Sequence, residues 1–151
     1  MDAPPLSASP PSEAAPSASD KLVAIGCHLS LLLGLGIGTL IPFVVWLLVR
    51  RRNVLVESHA RAALNFHFSL IVYAIVAVAV LFFTVGYSAF TGAAQGQFPT
   101  GMAGASLLLF FGIVLALIAM TLVALVCALI ASIRASDGVV YHYPLTLPIF
   151  R

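Results

Sequence analysis

The densest polar stretch of this chain runs Glu57-Ser58-His59-Ala60-Arg61-Ala62-Ala63-Leu64-Asn65-Phe66-His67-Phe68-Ser69, and apolar sequence follows it directly. On a helix, Arg61, Asn65 and Ser69 stand at i, i+4 and i+8 and share one ridge, while His59, Ala63 and His67 form a second. Arg61 can reach headgroups by snorkelling. Asn65 lies deeper, and an amide in hydrocarbon needs an internal partner. One reading is a polar seam that docks a partner or lines a short polar path. The plainer reading is helix packing with interfacial anchoring. His28 lies one turn inside the first apolar run. It reads as a neutral imidazole bonded to a neighbouring helix or set at the interface, since polar side chains in a membrane are costly and are retained for a reason. Tyr143, beside Tyr141 and Pro144, resembles Trp46 in being an aromatic suited to the interface. The candidate contact set is therefore His28, His59, Arg61, Asn65, His67 and Tyr143.

Most other chemistry is excluded by spacing. His59 and His67 are too far apart along a helix to share one metal, and neither belongs to an HExxH pattern. Cys27 and Cys127 lie in apolar runs without a CxxC partner, whereas a structural zinc needs four ligands. They read as packing residues. No Asp, Glu, Lys or Arg occurs in 22–49 or in 62–133, so a carboxylate proton relay has no candidate. There is no phosphate loop and no Ser-His-Asp pattern. No catalytic residue, cofactor or metal is expected, and the chain is not expected to be an enzyme. The basic residues are not interleaved with aromatics on a face outside the membrane, so nucleic acid is not an expected partner.

The elements that must position these residues follow from composition. The chain is 62% hydrophobic and 8% charged, with mean hydropathy +1.12, against about 25% charged residues in a soluble domain. The lipid bilayer is the solvent that fits. The spacing predicts an all-α, polytopic membrane protein with about four transmembrane helices. The first two are short, over 21–34 and 40–52, and meet at Gly34 to Thr39, where three alternating glycines precede Pro42. The alternative is three helices, the first long and kinked at Pro42. Asp20 suits the N-cap of the first helix. A third helix is expected over 57–90, a loop over 91–103 and a fourth helix over 104–135. Asp137-Gly138 is a turn signal, and Pro148 keeps the final apolar tail from forming a regular helix. Residues 1–19, rich in Pro, Ser and Ala, form an expected disordered tail before a helical membrane domain over 20–151. Arg50, Arg51, Arg52 and Arg61 place the 50–61 segment in the cytoplasm, and the uncharged 91–103 loop lies outside. The expected location is a bacterial inner membrane, with several passes.

Four segments carry a family resemblance: Cys27-His28-Leu29-Ser30 before a Gly-rich stretch, Ile41 to Leu47 leading into arginines, His59 to Phe66, and Tyr141-His142-Tyr143-Pro144-Leu145. Together they resemble the Tic-twenty-like family of small bacterial membrane proteins, relatives of subunits of the chloroplast inner-envelope import channel. The resemblance implies about four helices and a non-enzymatic role. Family members often carry a polar residue after the His-x-Arg element, and here Ala62 stands there. The expected function is that of an interaction or accessory subunit of a membrane complex, with a link to protein translocation. Its partner would be another membrane protein or further copies of the chain. The alternative is a transporter or channel protomer that forms a path only as an oligomer, because so few short helices cannot enclose a wide pore.

Overall fold

A computed structural model describes residues 16–96 and 100–150, side chains at 100–103 excepted, and among these residues the chain forms four α-helices. Helix α1 covers Ala18–Leu29 and continues as one 3-10 turn over Ser30–Leu33. Helix α2 covers Leu35–Val49, α3 covers Val54–Gln95 and α4 covers Thr100–Ser136. The expected disordered tail falls mostly outside the described residues, but its last two, Ala18 and Ser19, already belong to α1.

Helix α1 starts earlier than Asp20 alone suggests. Ser17 is the N-cap, and its hydroxyl accepts from the Asp20 backbone while the Asp20 carboxylate accepts from the Ser17 backbone. This reciprocal pairing satisfies two donors that a helix start leaves open. Gly34 then turns the chain back at φ +83, a left-handed value that glycine adopts without a Cβ penalty. The break lies at this one residue, not across Gly34 to Thr39. Pro42 sits inside α2 and is buried, not in its first turn as the sequence suggested. Gly38 explains the close return of α2. A Cβ there would sit well inside contact distance of the Ser30 carbonyl oxygen. At 1.5 Å per residue, α1 and α2 are about 18 and 22 Å long, short of a hydrocarbon core of about 30 Å. They form a hairpin about two thirds as long as that core.

Helix α3 begins three residues before the expected Glu57, because the Asn53 side chain caps it by accepting from the Val56 backbone. It runs through Gly92 and ends where Gly96 takes φ +65, so the expected 91–103 loop is shorter than its glycines implied. Residues 97–99 within it lie outside the described set. Helices α3 and α4 are both long and apolar enough to cross a membrane. Every buried residue of α3 except Gly92 lies between Val56 and Leu70. There α3 packs against α1, α2 and the C-terminal part of α4. One core joins Leu31, Phe66, Leu70, Cys127, Ala128 and Tyr143, and a smaller one joins Cys27, Ala60 and Ala63. Both cysteines are free packing residues. Beyond Leu70 the α3–α4 pair stands largely alone, with Ser106 Oγ donating to Ser88 Oγ at 3.0 Å.

The charged residues gather at the opposite end. The N-terminus of α1, the α2–α3 turn and the end of α4 meet there. Asn53 Nδ2 donates to Asp20 Oδ1 at 2.7 Å. A cleft of about 750 Å³ lies between them, lined by Ser17, Asp20, Arg52, Asn53, Gly138 and Val140 among others.

Candidate functional site

The seam drawn on α3 is occupied by the chain's own C-terminus. After a turn at Gly138, at φ +76, residues 139–150 run without regular structure. Pro144 and Pro148 have no N–H and cannot sustain a helical ladder. The tail's backbone groups must therefore find other partners, and α3 supplies them in register. Tyr73 OH donates to the Leu145 carbonyl at 2.6 Å. Ser69 Oγ accepts from the Leu147 N–H at 2.8 Å and donates to the Asn65 carbonyl at 2.7 Å. The Asn65 amide takes both polar groups of one residue: Oδ1 accepts the Phe150 N–H at 2.7 Å and Nδ2 donates to the Phe150 carbonyl at 3.1 Å. The Phe150 ring packs between Trp46 of α2 and Phe68 of α3, with ring centroids 5.4 and 5.5 Å away.

The working ridge is thus Asn65, Ser69 and Tyr73, one step further along α3 than the ridge read from sequence. Tyr73 and Phe150 were missed. Tyr73 continues the i+4 spacing, which was a usable signal. Phe150 carried none, because its contribution is mostly backbone. Arg61 leaves the seam. Its guanidinium pairs with Glu57 one turn earlier at 2.5 Å. Glu57 lies in the first turn of α3 and also accepts the Arg51 backbone N–H at 2.8 Å.

The histidines form a second, buried layer. Tyr143 OH lies 2.9 Å from His28 Nδ1, and His28 Nε2 lies 3.0 Å from His59 Nδ1. Tyr143 was expected at the interface. Its ring is instead buried, stacked on Phe66 at 4.0 Å and an interplanar angle of 11°. A neutral imidazole carries one N–H, so the chain can be polarised only as a whole. In one sense Tyr143 donates to His28 and His28 donates to His59, leaving an N–H at His59 Nε2. In the other, His59 donates to His28, His28 donates to the phenol oxygen, and His59 Nε2 is a bare acceptor. In either sense His59 Nε2 is buried without a partner among the described residues, as is His67 Nδ1. The arrangement ties α1, α3 and the tail to each other. Among the described residues no three His, Cys, Asp or Glu side chains form a group that could hold a metal. Cys27 and Ser30 flank this layer, with Ser30 Oγ donating to the Cys27 carbonyl.

The profile of the MamF/MmsF family, described as a magnetosome magnetite crystal formation protein family, matches residues 19–150. The chain belongs to that family. The match overturns the Tic-twenty-like resemblance. The segments that suggested it lie largely in the helix-to-helix and helix-to-tail contacts described above. Comparison with curated proteins and with solved structures found no match.

Proposed function

From membership of the MamF/MmsF family, we propose that this chain is an integral membrane accessory protein of magnetite crystal formation. We infer that it acts by shaping or organising the membrane around the mineral, not by catalysis. The observation that carries the reading is the division of the chain into a charged end and an uncharged one. Residues 62–133 hold no Asp, Glu, Lys or Arg. Large hydrophobic side chains such as Phe82, Phe83, Phe90, Leu108 and Leu115 stand more than half exposed along α3 and α4, a surface that water does not tolerate on a monomer. Lipid is the solvent that suits it. At about 63 and 55 Å, α3 and α4 exceed the hydrocarbon core and would tilt or protrude. The α1–α2 hairpin would enter from the arginine side and return, leaving both termini in the cytoplasm.

The uncharged end has no carboxylate with which to bind iron, a hard cation when ferric. Direct templating of mineral from that side is therefore disfavoured. A transport path has equally little support. Among the described residues, the hydroxyls of Thr84, Thr91 and Thr121 each bond a carbonyl of their own helix. Family membership gives no support to protein translocation.

The test is complementation in a magnetite-forming host from which the chain has been removed. The full chain should restore crystal size and number by electron microscopy and should resist alkaline extraction from membranes. Unchanged crystals on removal would sink the proposed role. Release by alkaline wash would sink the integral placement.

A further inference from the structure

Resting on that membrane placement, we propose that the α2–α3 turn binds the phosphate of an anionic glycerophospholipid through Arg50, Arg51 and Arg52. All three arginines are consecutive and exposed. The turn that presents them is fixed. Arg51 is held at φ +66, a conformation L-residues seldom adopt. Its backbone N–H donates to Glu57 Oε2 at 2.8 Å, and the Arg52 N–H donates to the Val49 carbonyl at 2.9 Å. The Arg50 guanidinium lies over the Trp46 ring, 4.9 Å from its centroid, a placement that orients the head and marks interfacial depth.

Of the acidic groups on the neighbouring elements, Glu57 and Asp20 are already engaged. Glu57 of α3 is taken by Arg61 and by the Arg51 backbone. Asp20 of α1 is taken by Ser17 and Asn53. Asp137, at the end of α4, is preceded by the exposed Arg134. Among the described residues none of the three guanidinium groups forms a salt bridge, and each is a planar fork shaped for two phosphate oxygens. Directly beside it, Val44, Leu47 and Leu48 of α2 are exposed. A free phosphate would use only the arginines. A phospholipid also uses this apolar track for its acyl chains, which is why lipid is the occupant the surface fits.

The experiment uses the full chain purified in a neutral detergent, then titrated with phosphatidylglycerol or phosphatidylcholine in mixed micelles, with bound lipid read by native mass spectrometry. Phosphatidylglycerol should be retained in preference, and the preference should fall by about fivefold for each arginine changed to glutamine. Arg134→Gln, an exposed arginine at the same end, should leave it unchanged. Should the triple variant fail to fold, the salt dependence of retention by the unsubstituted protein decides: weakening with added salt supports the site. Equal retention of the two lipids, or retention indifferent to salt, overturns it. Full competition by inorganic phosphate alone would assign the arginines to a free anion and also overturn it. The membrane placement fails separately, by alkaline extraction.

Discussion

Asn65→Leu tests whether the seam is a clasp for the tail. The substitution keeps a γ-branched side chain on α3 and removes two hydrogen bonds, at 2.7 and 3.1 Å, to the backbone of Phe150. Interhelical hydrogen bonds in membranes average about 0.6 kcal/mol. Two such bonds give about 1.2 kcal/mol, or roughly an eightfold rise in the population with its tail end detached. The bundle should survive, because Tyr143, part of the same core as Leu31, Phe66 and Ala128, still anchors the start of the tail. The readout is carboxypeptidase trimming of the detergent-purified protein, under conditions where reclosing outpaces cleavage. Trimming to about residue 145 should accelerate by nearly that factor, while helical circular dichroism stays constant. An unchanged trimming rate would refute the clasp, since the bonds would then hold nothing in place. Wholesale unfolding would refute the division between bundle and tail.

Tyr143→Phe keeps the stack on Phe66 but leaves His28 Nδ1 buried and unpaired, so thermal unfolding in detergent should show a loss of about 1–3 kcal/mol. No loss would mean that the phenol is idle. Gly38→Ala sets a Cβ against the Ser30 backbone and should cost about 1–3 kcal/mol by overpacking. Gly36→Ala, where a Cβ meets nothing within 4 Å, should be neutral or better, and equal effects would undo the close-approach argument. Single cysteines at Asn53 and Gln95, with Cys27 and Cys127 replaced, report topology: an impermeant reagent on intact cells should label Gln95→Cys and spare Asn53→Cys, and the opposite pattern would invert the orientation.

The helices were legible because a long apolar run can satisfy its backbone in few other ways. Their ends were less so. Ser17 and Asn53 cap α1 and α3 through side-chain bonds that begin outside the apolar runs, so a hydropathy boundary misplaces both starts. Gly92 falls in the expected 91–103 loop and is a buried position inside α3. Gly34, Gly36 and Gly38 looked alike in sequence and serve three different conditions: positive φ, open space and close contact.

The polar residues were found as a set, and their partners were not. Spacing on one helix shows which side chains share a face, and it cannot show what covers that face. Asn65 needed an internal partner by the energetics of hydrocarbon alone. The partner proved to be backbone 85 residues away in the chain, held straight enough to be read by Pro144 and Pro148. His28 and Tyr143 meet across 115 residues, a separation that no periodicity reports. Both cases have one physical origin. In an apolar chain with few polar groups, each buried donor or acceptor is costly until paired, so distant polar groups are drawn together and cancel. What remains uncancelled is then informative. Two buried histidine nitrogens, His59 Nε2 and His67 Nδ1, stay without a partner among the described residues, and at one end the three exposed arginines of the α2–α3 turn stand beside exposed leucines.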